Sequence, residues 1–243
     1  GVPVEDGRIN LLFDLQGRSA IVTGSARGIG RAIALRLADA GASVVVTDVA
    51  QEACDTVAAE IVAAGGKAIA QAADVSSSAD IERLVAAAKT AFGGIDILVN
   101  NAALRGWYTW DTLTPEVWDR YMAVNEKAVF FMTQAVAREM VAQGRGGAIV
   151  NISSTAAAHP VRWKVDYNAA KAAVASMTKS LAKELGEHRI RVNAVGPGGT
   201  NTPGARDATA PIMAVLGISA NEMSESPIRS VLGRYAVPDD IAR

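Results

Sequence analysis

The chain of 243 residues has one cysteine, two histidines and only 5% aromatic residues. Cys54 has no partner for an internal disulfide, which suits a reduced cytoplasm and leaves this residue as a small helix side chain. Charge of one sign is also lacking, since 24 Lys and Arg stand against 25 Asp and Glu. That balance argues against nucleic acid or a membrane surface as the principal partner. No apolar run is long enough to span a bilayer. Residues 1–10 lack the basic-then-apolar order of a signal peptide, so a soluble, cytoplasmic protein is expected, with an arm over residues 1–15. No metal site is expected.

What the chain does have is hydrophobic mass, half of its residues, enough for a large core. That mass is laid out as apolar strands alternating with helical segments. Strands are predicted at Ser43 to Thr47, Lys67 to Ala72, Ile95 to Val99, Ala148 to Ile152 and Ile190 to Val195. Helices are predicted near Gln51 to Ala64, from Ser76-Ser77-Ser78 to Phe92, from Thr114-Pro115 to about Gln143, and over Val165 to Leu185. The alternation predicts an α/β fold built on one doubly wound parallel sheet, in a single domain. The rhythm breaks over residues 196–232, which hold four of the eight prolines or lie beside them; an irregular segment with short helical pieces, lying over a substrate, is expected there.

The turn Thr23-Gly24-Ser25-Ala26-Arg27-Gly28-Ile29-Gly30 lies between an apolar strand, Ala20-Ile21-Val22, and the helical pattern of Arg31 to Ala40. Glycines there let backbone N–H groups approach a phosphate at the positive end of a helix. The next strand, Val44-Val45-Val46, ends in Asp48, about 20 residues past the glycines, where a carboxylate suits the hydroxyls of an adenosine ribose. A dinucleotide site is predicted. Farther on, Tyr167 and Lys171 stand four residues apart on one helical face, and Ser153 and Ser154 follow a strand at the ligand-binding edge of such a sheet.

On these residues the chain resembles the short-chain dehydrogenase/reductase family, from Thr23 to about Arg243. Thr23-Gly24 with Gly28-Ile29-Gly30 matches that family's cofactor turn, and Asn100-Asn101-Ala102 the segment supporting its central strand. The resemblance implies a Rossmann fold and a catalytic tetrad of Asn125, Ser154, Tyr167 and Lys171. Ser154 rather than Ser153 has the family spacing, thirteen residues before Tyr167. Cofactor contacts are expected from Gly24, Ser25, Arg27, Gly28, Ile29, Gly30, Asp48, Asn101 and Ala102. Asp74 and Val75 would meet the adenine edge; Pro197, Gly198, Thr200 and Thr202, with Tyr167 and Lys171, would lie by the nicotinamide. The resemblance also implies a homotetramer, and water held by Asn125.

The chemistry asked of the tetrad follows from the reaction. A secondary alcohol releases hydride only if its hydroxyl proton leaves too. A free phenol, with a pKa of about 10, is a poor base near neutrality, and a nearby ammonium favours the phenolate. Tyr167 is thus the expected acid and base, and Ser154 the hydrogen-bond donor to the substrate oxygen. Asp48 favours NAD over NADP, whereas Arg27 could pair with a 2′-phosphate. Trp107, His159 and Trp163, with Ser154, are expected around the substrate; Arg105, Arg162 and Lys164 could hold an anionic group or face solvent. The expected activity is NAD-dependent interconversion of a secondary alcohol and a ketone on a sugar, polyol or hydroxy acid. An NADPH-linked 3-oxoacyl-thioester reductase is the alternative, and a non-catalytic dinucleotide sensor a remote one. Three departures from the family pattern stand out: Ala103 where a glycine is usual, Thr200 after Pro-Gly, and an end at Arg243, short of the usual last helix and seventh strand.

Overall fold

The computed structural model describes residues 14–216 and 233–243. Six strands form one parallel sheet in the order β3-β2-β1-β4-β5-β6. These are β1 (Ser19–Thr23), β2 (Ser43–Thr47), β3 (Lys67–Ala70), β4 (Ile97–Asn100), β5 (Gly147–Ile152) and β6 (Ile190–Val195). The order runs outward from β1 in both directions, so the chain reverses between β1 and β4, where open α/β sheets bind ligands. The predicted doubly wound sheet is the one observed.

Strand residues alternate between two cores, one on each face of the sheet. Ile21, Val45, Leu98 and Ile149 pack into one, against Leu84, Met132 and Met140. Val22, Val44, Val46 and Val99 pack into the other, against Ile33, Cys54 and Ile61. Burial on both faces explains why the strands read as continuous apolar runs. It also pushes the Cys54 thiol up to about 11, in keeping with an inert packing residue.

The helices are α1 (Gly28–Asp39), α2 (Gln51–Ala63), α3 (Ser78–Phe92), α4 (Pro115–Met122), α5 (Ala128–Gln143), α6 (Val165–Leu185), α7 (Pro203–Leu216) and α8 (Pro238–Ala242). Local chemistry sets their ends. The Ser77 hydroxyl caps α3 by accepting from Asp80 N, and Gly93 closes it at φ 76°. Thr114 caps α4, with Pro115 in its first turn. Between α4 and α5 the chain makes a π turn, Ala123–Lys127, where the sequence pattern suggested one uninterrupted helix.

Two expectations need correction. Leu15, placed in the arm, is pinned: its N–H donates to Ala40 O at 2.7 Å and its side chain packs on the core. The rest of the arm, residues 1–13, lies outside the described residues. Over residues 196–232 the chain first forms the 14-residue helix α7 rather than short pieces. Thr202 caps it by accepting from Ala205 N at 3.0 Å, a signal hidden in the sequence by Gly204 and Pro211. Residues 217–232 lie outside the described residues.

Candidate active site

The carboxyl ends of β1, β2 and β4 open on a cavity of about 700 Å³, within the range of small-molecule sites. Its walls include Gly24, Arg27, Gly28 and Ile29 of the first turn, with Asp48 after β2. Asp74, Val75, Asn101, Ala102 and Thr202 complete the part foreseen from sequence. Ala103, Leu104, Arg105, Gly204 and Asp207 add to it.

The turn is held open by forced glycine geometry. A Cβ on Gly30 would lie 2.2 Å from Gly24 O and 2.5 Å from Asn101 Nδ2. Gly24, at φ +64°, would bring one to 2.8 Å from Ala102 Cα. The Asn101 amide donates to Thr23 O at 2.9 Å and Gly24 O at 3.0 Å, while Thr23 Oγ1 accepts from the N–H of Asn101 and Ala102. β4 thus clasps the turn after β1. Gly30 serves this packing rather than the cavity wall.

Ser25 is also turned inward. It is fully buried, its N–H donates to Thr47 O, and its hydroxyl accepts from Thr47 N at 2.9 Å. It braces the turn against β2 and offers the cavity no donor, contrary to the expected cofactor contact. The Thr200 hydroxyl donates to Gly198 O at 3.1 Å, and its backbone bridges to Ala236. Pro197 O accepts from Thr155 N at 3.0 Å, so this segment braces the loop that carries Ser154. Asp74 forms a local turn, accepting from Ser76 N and Oγ, and still borders the cavity.

Arg27 extends across the cavity wall to Asp207 on α7, Nη1 to Oδ2 at 2.9 Å, with the two side chains 62% and 67% exposed. Asp207 was not legible in the sequence, because nothing marked α7 as the neighbour of the first turn. Among the described residues no base is paired with Asp48, whose Oδ1 accepts from Val49 N at 2.8 Å.

The four residues expected to form the tetrad lie outside this cavity's lining, on α6 and on the two segments packed against it, the π turn and the turn after β5. Ser153 and Ser154 have different surroundings. Ser153 is buried and donates to Lys171 O at 2.9 Å, tying α6 to the end of β5. Ser154 is only half-buried, its hydroxyl accepting from Ala156 N. Tyr167, 7% exposed, and Lys171, 2% exposed, lie one helical turn apart on α6, with Lys171 Nζ 5.7 Å from the phenol ring centre. Lys171 Nζ donates to Ile152 O at 2.7 Å. Burial, reinforced by Arg105, pushes this ammonium down to about 7. Asn125 sits in the π turn, fully buried, with both ends of its amide bonded to Leu104, at 2.7 and 3.0 Å. The π turn therefore anchors the loop carrying Arg105 and Trp107.

Below the site, Asn100 donates to Thr133 Oγ1 and Asn151 Oδ1, and Asn151 donates to Thr178 Oγ1 on α6. This buried chain fixes α6 to β4 and β5. Of the expected substrate residues, Trp107 and Trp163 are half-buried and His159 is exposed. The Tyr108 N–H donates to Trp163 O at 2.9 Å, which joins the loop after β4 to the start of α6. Lys164, beside them, places its Nζ 3.9 Å from the centre of the Trp107 ring and 5.5 Å from that of Tyr167. Trp110, 89% exposed, lines nothing.

Comparison with known proteins places the chain in a family. The profile of the short chain dehydrogenase family matches residues 18–212. The chain is 47% identical over 184 residues to a sorbitol dehydrogenase of Cereibacter sphaeroides, covering 76% of this chain and 71% of that enzyme. It is 38% identical over 228 residues to a galactitol 2-dehydrogenase of Agrobacterium fabrum, covering 93% and 88%. Among solved structures, a single-site variant of actinorhodin polyketide ketoreductase with NADPH superposes with a TM-score of 0.88 at 36% identity, covering 93% of this chain and 87% of that one.

Proposed function

Because the chain belongs to the short-chain dehydrogenase/reductase family and is an oxidoreductase of alcohols and ketones, we propose that it uses NAD(H). Its substrate on this reading is a small polar molecule, and Tyr167 is its acid and base. The observation that carries the proposal is the pairing of Tyr167 with a buried Lys171 that, among the described residues, no carboxylate bonds. The residues around the cavity fit a nicotinamide dinucleotide: an open glycine turn at the start of α1 and an acid after β2.

Hydride acceptance and return are the chemistry a bound nicotinamide supplies; the chain's own residues manage the proton. Tyr167 takes the hydroxyl proton as the carbinol is oxidised and returns it in the reverse direction. Ser154 donates a hydrogen bond to the same oxygen, steadying the charge that develops on it. Lys171, with protons beyond the one given to Ile152 O, favours the phenolate and can reach ribose hydroxyls. Asn125 holds the loop after β4 against the π turn, which keeps that wall of the site in place.

The choice of NAD rests on Asp48 and on what occupies Arg27. A carboxylate at the end of β2 repels a 2′-phosphate, and the base that would attract one is engaged by Asp207. The NADPH-linked reductase is the second reading, favoured by the place of Arg27 in the cavity wall. Fluorescence titration with NADH and NADPH in parallel separates the two. Wild type should prefer NADH, Asp48→Ala should lose that preference, and Asp207→Asn should strengthen NADPH by up to about fivefold, the worth of an exposed ion pair at most. Preference of the wild type for NADPH would transfer the proposal to the reductase.

A further inference from the structure

We propose that the substrate is an anion, a small hydroxy acid whose carboxylate is held by Lys164 with Arg105 beside it while its carbinol faces Tyr167. This rests on the reading above that Tyr167 is the reacting group.

Lys164 is placed by the strained turn before it. Trp163 adopts φ 64°, a left-handed conformation costly for a bulky residue, and its carbonyl accepts from Tyr108 N. That turn swings Lys164 back over the site, its Nζ above the Trp107 and Tyr167 rings. One small molecule touching the phenol is therefore within reach of the ammonium. Burial, and then Arg105, push the Lys164 ammonium down to about 8, the cost of an unanswered charge.

Among the described residues neither Lys164 nor Arg105 makes a hydrogen bond or ion pair through its side chain; both are half-buried. Arg105, in the cavity wall, disfavours the charged forms of both Lys164 and Lys171. The acid nearby, Asp166, is buried, and neither of its oxygens meets a donor. Its charge favours the Lys164 ammonium without bonding to it. Elsewhere the chain answers such cations: Arg18 and Arg145 both bond Asp96. A neutral polyol would leave the excess positive charge in place. A carboxylate would accept charge-assisted bonds from Lys164 and Arg105.

The test is calorimetric titration of enzyme saturated with whichever reduced dinucleotide it binds, so that an alcohol binds without turning over. Gluconate and sorbitol are the probes, six-carbon polyhydroxy chains that differ chiefly in the carboxylate. Gluconate should bind about tenfold tighter or more, and Lys164→Gln should abolish most of that ratio, as expected for a lost charge-assisted bond. Lys164→Arg should retain most of it, and Lys179→Gln, an exposed lysine on α6, should not change it. Equal affinities, no gluconate binding, or a ratio that survives Lys164→Gln would overturn the inference. Failure of every alcohol to reduce NAD would instead sink the reading of Tyr167, while the binding ratio still decides the role of Lys164.

Discussion

Lys171 has its ammonium buried on a backbone carbonyl, and the consequence reaches stability as well as chemistry. An unfolded lysine keeps its proton to about pH 10.4, whereas here burial pushes it down to about 7. Between those values the unfolded chain binds more protons, so stability rises with pH, by at most about 1.4 kcal/mol per unit from this group. Below pH 7 both states are protonated and the cost of the buried charge stands in full. Urea melts of Lys171→Met should therefore lack part of the wild-type rise between pH 7 and 10; identical slopes would contradict the assignment. Tyr167→Phe should lower kcat by about 10²- to 10⁴-fold, the usual worth of a positioned acid–base group, with the dinucleotide still bound. At this scale the sequence was informative where residue type and spacing were both specific, as for Tyr167 and Lys171, which meet on one face of α6. It misled where a residue's partner was its own backbone surroundings: Ser25 has a suitable hydroxyl, but Thr47 takes it up.

Elements meet at the opposite edge of the sheet through one carboxylate. Asp96, just before β4, accepts from Ser19 N at the start of β1, from Arg18 and from Arg145. Burial works against its charged form, but the bonds from Arg145 and Ser19 outweigh that and hold it below the usual carboxylate range. A depressed carboxylate contributes stability above its unfolded value near 4, and that contribution is lost as pH falls. Asp96→Asn should cost about 1.5–3 kcal/mol at pH 7 and flatten the acid limb of the stability profile. An unchanged acid limb in thermal melts would contradict this. Strand and helix positions were legible because caps, closing glycines and two-sided apolar strands are local signals. The π turn and α7 were not. The first depends on Asn125 meeting Leu104 across the fold, and the second carries Gly204 and Pro211 against a cap at Thr202.

Over the whole molecule, the reversal of strand order between β1 and β4 brings the glycine turn and Asp48 to one cavity at the carboxyl edge of the sheet. A dinucleotide bridging them would bind the folded state alone. At a hundred times its dissociation constant it should add about 2.7 kcal/mol, raising Tm by about 5–10 °C for a chain of this size. Gly30→Ala should lose most of that rise, because its Cβ would displace Gly24 and Asn101 from the turn that shapes the cavity; a full rise in that variant would contradict the role given to the turn. The sheet and the presence of a cavity at its carboxyl edge were within reach of the sequence. The crossing of Arg27 to Asp207 and the seating of Lys164 over the Trp107 ring were not, since both arise from contacts between distant segments.

The most direct test of the central claim is the initial rate of NAD reduction, followed by absorbance of the reduced nicotinamide, with a small secondary alcohol. Wild type is compared with Tyr167→Phe at matched dinucleotide saturation. The account predicts turnover by the wild type and its near-complete loss in the variant. Equal rates in the two proteins would contradict Tyr167 as the acid and base.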